Sequence, residues 1–498
     1  MSMYLCYDLK GIQQYIFQVP KLKSCIGGSR QIDDFDRLDA GGLQVPGCAM
    51  IYTGGGKGAF ECADEPSMQG AKSALVELAR RKGLTIRFGF DDDYTRAARE
   101  IRETYVYQPD ELDGHPCQLS GLYPTNSGVH PLMKQRLEKG GEHGMEGHAE
   151  KEFLEAIRRE CGRPELHFFY DVDSAGSREG RDAAEALGNR NRWAVVCMDG
   201  NDMGSQFLSF LSRNPSESEW KSWLPKMSRC LDECTREAAK SAMVSVAKSH
   251  LEANGGDTLP LRPLIVGGDD VTVLVGCDYA LEFVETVMEE FEKASRRHSE
   301  LWVGTGGVLT ISGGILYAPV SLPLHSALEY AEELLASAKS HGRELNKDKG
   351  RSASPACLDW ESVTEGMLDS AGDRRRRELM FVDDETGNKV ELTARPYSLD
   401  ELNAVKALRD ELTTVPRSIQ HEIHPALYSG LARRLAFYAK IGKNHPLLES
   451  LLREPVPGVG GVYGEGWSVS GAGGIQRTSV LDALLLLQEE HRMKNPTI

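Results

Sequence analysis

Pro263-Leu264-Ile265-Val266-Gly267-Gly268-Asp269-Asp270-Val271-Thr272-Val273-Leu274-Val275 is the stretch on which the fold turns. Two apolar runs, each the length of a buried strand, flank two glycines and two aspartates, and glycine supplies the positive φ that a tight hairpin needs. The pattern predicts strand, turn, strand, with both carboxylates at the tip. Upstream, Trp193-Ala194-Val195-Val196-Cys197-Met198 is too short and apolar for anything but a buried strand, and it ends at Asp199. A long amphipathic helix is expected from about Glu217 to Asn254. Downstream come a helix from Tyr279 to Arg297, a strand from Gly307 to Leu316 and a helix from Leu324 to Ser340. In such a βααββαβ unit the first strand and the hairpin are neighbours at the centre of one sheet, so Asp199, Asp269 and Asp270 converge.

Convergent carboxylates bind hard cations. Mg²⁺ takes oxygen ligands at about 2.0–2.1 Å, commonly one or two carboxylates plus substrate phosphates. Two such ions about 3.5–4 Å apart activate a hydroxyl nucleophile and stabilise a departing pyrophosphate. On its four letters alone, Gly-Gly-Asp-Asp is explained equally well as a polar hairpin tip, so its context has to decide.

The remaining sequence sets bounds. The chain has 498 residues, 40% hydrophobic and 27% charged, enough for several cores. Its 58 Lys and Arg against 74 Asp and Glu give −16, which argues against a broad basic face for sequence-independent nucleic-acid binding. No apolar run approaches a membrane span, and the start, Met1-Ser2-Met3-Tyr4-Leu5-Cys6-Tyr7-Asp8, lacks a secretory pattern. Eleven scattered cysteines suit a reducing compartment. A cytoplasmic protein without membrane contact is expected.

Four regions are expected. Residues 1–105 read as an α/β unit, with strands at Met3–Tyr7, Ala49–Tyr52 and Leu84–Phe88. Glycine turns fall at Gly27-Gly28-Ser29 and Gly54-Gly55-Gly56-Lys57-Gly58. Residues 106–190 read as a polar connector with a small irregular subdomain, 191–352 as the unit carrying the hairpin, and 353–498 as mainly helical. Pro455 to Gly474 is too glycine-rich for regular structure. Lys57 is not followed by the Ser or Thr of a phosphate-binding P-loop, and His421-Glu422-Ile423-His424 lacks zincin spacing. Cys230 and Cys234, one helical turn apart, read as core thiols.

Asp199-Gly200-Asn201-Asp202-Met203-Gly204, Gly267-Gly268-Asp269-Asp270, Ser312-Gly313-Gly314-Ile315 and Ala331 through Lys339 into His341-Gly342-Arg343 resemble, in order and spacing, the catalytic palm of the large subunit of type III CRISPR effector complexes. GGDEF diguanylate cyclases are similar more distantly. Asp8-Leu9-Lys10-Gly11-Ile12-Gln13-Gln14-Tyr15, Gly54-Gly55-Gly56 and Arg417-Ser418-Ile419-Gln420 resemble flanking parts of the same subunit. The resemblance implies an α+β chain of two ferredoxin-like palms, the first degenerate and the second catalytic, plus a C-terminal helical domain. It implies Asp199, Asp269 and Asp270 as catalytic residues that, with Gly200, hold Mg²⁺ or Mn²⁺, two ions in all. Gly267, Gly268, Ser312, Gly313 and Lys339 would contact the nucleotide, Lys339 at the triphosphate.

The implied activity joins ATP units with release of pyrophosphate, giving cyclic oligoadenylate or a related adenylate signal in antiviral defence. The implied partners are ATP, other effector subunits, crRNA and target RNA. The alternatives are a catalytically weak scaffold subunit, or a free-standing cyclase that forms a homo-oligomer and binds no guide RNA. Two features depart from the family. Asn201 stands where a second aspartate is usual, with Asp202 one place later. Cys117-Gln118-Leu119-Ser120 keeps the cadence of a zinc ribbon without its second thiolate, so zinc is not expected and His130, His143 and His148 read as loop histidines. No His-Asp dipeptide occurs, so an HD nuclease domain is not expected. Lys347-Asp348-Lys349-Gly350-Arg351 reads equally as a phosphate or RNA contact and as a solvated loop.

Overall fold

The hairpin forms in the register its glycines dictate. Leu261–Gly267 pairs antiparallel with Asp270–Val275, Gly267 opposite Asp270, and Gly268 turns the chain at φ +62°. This is a computed structural model, describing residues 2–19, 21–108, 114–121, 123–141, 147–172, 178–187, 191–349, 352–364, 369–383, 387, 389–429, 431–446, 462–463, 467–470 and 475–491.

Strand Arg192–Gly200 lies beside the hairpin, with Asp199 opposite Asp270. On its other side Ile311–Pro319 runs antiparallel, with Ser312 opposite Asp199. Alternation then sorts the side chains. Val196, Met198, Val271 and Val273 pack under helices Glu217–Ala253 and Ala280–Arg296, whereas Val195, Cys197, Leu274 and Leu316 face helix Leu324–Lys349. The long helix starts at a capping box, where Ser216 accepts from Glu219 N and the Glu219 carboxylate accepts from Ser216 N at 2.7 Å.

This sheet outruns the boundary expected at 352. Cys357–Ser362 adds parallel to Ile311–Pro319, and Tyr397–Ser398 closes the edge, giving six strands. The apolar Cys357-Leu358 and Trp360 are buried there, so the stretch is part of that core rather than the start of a new one. The C-terminal region is also less purely helical than expected. Beside helices Leu399–Thr413, Arg417–Leu427, Leu431–Gly442 and Val480–His491 it carries a sheet ordered Met380–Val382, Lys389–Glu391, Ile475–Arg477, Trp467–Ser470, Val462–Tyr463. The last two strands lie within the expected Pro455–Gly474 loop, whose other residues fall outside those described.

The N-terminal sheet repeats the plan of the second. Its order is Cys48–Gly54, Lys57–Cys62, Met3–Lys10, Thr85–Asp91, Glu103–Tyr105: a hairpin, the first strand, then the last. Gly27-Gly28-Ser29 is a correction, since these residues lie inside helix Leu22–Asp34 and make no turn. The glycines serve packing. A Cβ on Gly27 would sit 1.9 Å from the Arg136 carbonyl oxygen, and one on Gly140 would sit 1.8 Å from that of Lys23, so helices Leu22–Asp34 and Pro131–Gly141 meet backbone to backbone.

Residues 106–190 are more regular than a connector, with helices Pro131–Gly141, His148–Cys161 and Arg178–Ala186. The Cys117 loop is closed by the pairing of His115–Pro116 with Pro124–Thr125, and the buried Cys117 Sγ accepts from His130 N at 3.3 Å. His143 and the side chain of His148 lie outside the described residues. No helix among those described is long and apolar enough to cross a membrane.

Candidate active site

Asp199 ends its strand one register step from the hairpin tip, and cross-strand pairing puts its side chain on the same face as that of Asp270. Asp269, at the turn, lies beside the Asp199 carboxylate, close enough for the two to repel. Gly200 makes this close approach possible: its N–H donates to the Asp269 carbonyl at 3.1 Å, and a Cβ there would lie 3.0 Å from Asp269 Cβ. The turn is tied down from the long helix. Gly268 N–H donates to Asp232 Oδ1 at 3.0 Å, and Thr235 Oγ1 donates to the Gly268 carbonyl at 2.6 Å. Sequence reading missed both residues. Their three-residue spacing gives one helix face, but nothing local tells that this face meets the hairpin.

Lys339 reaches this point from helix Leu324–Lys349. Its Nζ lies 2.6 Å from Asp199 Oδ2 and donates to the Gly200 carbonyl at 2.9 Å. The lysine is therefore held at the carboxylates rather than extended from its helix into solvent.

The electrostatics record crowding. Burial pushes Asp269 up to about 6, with the neighbouring Asp199 carboxylate adding to the shift. Burial likewise pushes Asp270 up to about 7, helped by Asp269 and Asp199 and opposed by Lys339. A divalent cation relieves this repulsion, and an all-oxygen carboxylate set is the donor chemistry of Mg²⁺ or Mn²⁺. Among the described residues, however, the three acid, thiol or imidazole ligands lying within 4.8 Å of one another are Cys230, Glu233 and His298, not the three aspartates. In this state Lys339 is the cation that meets Asp199.

Two expected nucleotide contacts are corrected. Ser312 is fully buried, and its Oγ accepts from Cys357 N at 3.1 Å, because the added strand Cys357–Ser362 covers it. Gly313 points to the opposite face, where a Cβ would meet Val284 at 3.2 Å and Met198 at 3.4 Å. Gly200 offers a carbonyl that Lys339 already engages. Gly268 is open, with nothing within 4 Å of a Cβ position.

Asn201 and Asp202 both turn away from the cluster. The buried Asn201 Nδ2 donates to Thr310 Oγ1 at 2.9 Å and to the Pro355 carbonyl at 3.4 Å. Asp202 Oδ2 accepts from Ser354 N at 2.7 Å. Neither supplies the second carboxylate that the sequence comparison sought. Lys347 is exposed near the end of its helix, and Gly350 and Arg351 lie outside the described residues.

The cluster opens on a cleft of about 1070 Å³ between the two sheets. Asp199, Asp269 and Asp270 line one wall, while Asp8, Gly55 and Lys57 from the N-terminal sheet line the other. Phe207 and Trp220 also line it, and stacked Phe210 and Trp223 pack against them.

A split hairpin beside a central strand, carboxylates at its tip and a lysine from the last helix define a palm domain. Residues 192–349 match the family model "Cas10/Cmr2, second palm domain", and over this span the chain is Cas10-like. Similar solved structures include Csm1 in T. onnurineus, at 14% identity and TM-score 0.45 over 98% of this chain and 69% of that one. A Csm1–Csm4 cassette in complex with cA4 aligns at 14% identity and TM-score 0.44, over 98% and 70%. A cassette in complex with AMPPNP aligns at 17% identity and TM-score 0.38, over 68% of this chain and 53% of that chain, so this alignment spans about half the length of the solved protein. No curated protein matches.

Proposed function

We propose that this protein is a nucleotidyltransferase that converts ATP into cyclic oligoadenylate or a related adenylate signal, releasing pyrophosphate, as part of CRISPR-type antiviral defence. The observation that carries the reading is the meeting of Asp199, Asp269, Asp270 and Lys339 at one end of the cleft, within a span that matches a Cas10/Cmr2 palm.

Asp199, Asp269 and Asp270 would hold Mg²⁺ or Mn²⁺, with two ions expected. When bound, such ions lower the pKa of an attacking hydroxyl and offset charge on the phosphates. The chain's own groups do the rest. Lys339, released from Asp199 as the carboxylates take up cation, offers its ammonium to the triphosphate and to the charge that develops on leaving pyrophosphate. Gly268, with no side chain and open space above it, lets phosphate approach the backbone. Asp232 and Thr235 hold that backbone still. The partners proposed with this reading are other effector subunits, crRNA and target RNA.

The test is to incubate the purified protein with radiolabelled ATP and Mg²⁺ or Mn²⁺, with and without RNA and partner subunits, and to resolve the products. Adenylate oligomers and pyrophosphate are expected. Their absence in every combination, with effector assembly intact, would establish the scaffold reading instead.

A further inference from the structure

Cys230, Glu233 and His298 form a second ligand cluster, which the aspartates and Lys339 do not use. A thiol sulfur, a carboxylate oxygen and an imidazole nitrogen from these residues all lie within 4.8 Å of one another. Cys230 and Glu233, three residues apart, share one face of helix Glu217–Ala253. His298 follows the C-cap Arg297 of helix Ala280–Arg296, and its backbone N–H donates to the Ser295 carbonyl at 2.9 Å, fixing it against that helix. Among the described residues neither the Glu233 nor the His298 side chain makes a hydrogen bond or ion pair. The cluster grades from buried Cys230 through half-buried His298 to exposed Glu233, so an ion has a way in from solvent.

The donor set decides the ligand. Sulfur, nitrogen and one carboxylate oxygen suit Zn²⁺ and match Mg²⁺ poorly, since Mg²⁺ prefers oxygen ligands. Burial, and next the Glu233 charge, raise the Cys230 thiol, a cost that a divalent cation reverses. Cys234, one turn on, is more deeply buried and lies near Arg297, whose guanidinium pairs with Glu237, so it stands apart from the trio.

We propose that Cys230, Glu233 and His298 bind one Zn²⁺ ion, with water in the fourth tetrahedral position, and that this ion clamps helix Glu217–Ala253 to the end of helix Ala280–Arg296. The first of these helices carries Asp232 and Thr235, which hold the Gly268 turn from its other side. The clamp therefore braces the element that positions the aspartates. Sequence reading took Cys230 for a core thiol because His298 is remote in the chain and no short motif links the three.

The test is titration of the metal-free full-length protein with Co²⁺, followed by Zn²⁺ competition. One equivalent of cobalt should give a near-ultraviolet thiolate-to-cobalt charge-transfer band with intense visible bands of a four-coordinate site, and Zn²⁺ should abolish both. Cobalt at the all-oxygen aspartate cluster gives no thiolate band, so the two sites are read separately. Cys230→Ala should remove the band, His298→Ala should weaken binding by at least about tenfold, and Cys234→Ala should leave the band in place. Absence of the band at excess cobalt, or its survival in Cys230→Ala, overturns the proposal. Should Cys230→Ala fail to fold, His298→Ala decides alone, and unchanged cobalt affinity there overturns it equally.

Discussion

Asp8 and Asp199 occupy the same place in two sheets of one design, yet their surroundings carry opposite charge. Each lies near the end of the first strand of its sheet, beside a glycine hairpin. Asp8 is opposite Lys57 as Asp199 is opposite Asp270, and Gly54 pairs with Lys57 as Gly267 pairs with Asp270. On the other flank Arg87 faces Asp8 where Ser312 faces Asp199. Even the tethering recurs: Asp36 Oδ2 accepts from Gly56 N at 2.8 Å, as Asp232 Oδ1 accepts from Gly268 N at 3.0 Å. The backbone plan is thus independent of the chemistry. In the N-terminal sheet the Arg87 guanidinium is ion-paired with Asp8, and a lysine replaces the hairpin carboxylate, so the tip is cationic and has no use for a metal ion. In the second sheet three carboxylates meet a single lysine, an excess of negative charge that suits a divalent cation, through which, on the proposed reading, the triphosphate would be held.

Writing the N-terminal chemistry into the second sheet breaks the contrast most severely. Asp270→Lys, which copies Lys57, should lower pyrophosphate release from ATP by at least about a thousandfold, the scale of losing preorganised charge stabilisation. Asp269→Ala with Asp270→Ala should do the same without changing the circular dichroism spectrum. Retained product formation in either would remove the aspartates from the chemistry.

Lys339→Ala comes next. Loss of a charge-assisted contact of about 1.5–3 kcal/mol should lower kcat/KM by roughly tenfold to a hundredfold. Arginine at this position should recover only part of that, because a planar fork places its charge differently. Kinetics within about twofold of wild type would make the Asp199 pair a resting contact only.

Asn201→Asp tests whether the second sheet lacks a carboxylate there by accident or by packing. Thr310 Oγ1 donates to the Ser354 carbonyl at 2.6 Å and so can only accept from residue 201, which an aspartate cannot satisfy. The variant should cost about 1–3 kcal/mol and lower the unfolding midpoint. Higher activity at unchanged stability would show that this side chain can turn to the cluster after all.

A smaller effect is the pH response of the metal-free protein. Asp269 and Asp270 bind protons more tightly folded than unfolded, so their stabilising contribution is complete below about pH 4 and is lost as pH rises through about 6 to 7. The unfolding midpoint should fall over that window, Mg²⁺ should restore it most at the alkaline end, and Asp270→Asn should flatten the profile. Buried Asp36, itself pushed up to about 7 by burial, titrates in the same window, and Asp36→Asn serves as the N-terminal control. The least effect is expected from Asp8→Asn, which should leave product yield within a fewfold of wild type.

Local pattern was enough for the elements. The Pro263–Val275 hairpin, the strand to Asp199 and the helix beginning at Glu217 follow from apolar period and glycine φ, both properties of adjacent residues. The triad Asp199, Asp269, Asp270 was legible because strand ends and hairpin tips are fixed by that same pattern. Sequence alone did not show which partners close over these elements. Ser312 and Gly313 fit the motif in order, yet Cys357–Ser362 buries one and the sheet's alternation turns the other beneath helix Ala280–Arg296. Gly27 signalled a turn and was needed for helix contact. Asn201 looked like a weakened ligand and is a buried donor to Thr310. Asp232, Thr235, the Lys339–Asp199 pair and the Cys230–Glu233–His298 trio depend on helices meeting strands far along the chain. Such contacts are set by burial and close packing among distant segments, which no local spacing encodes.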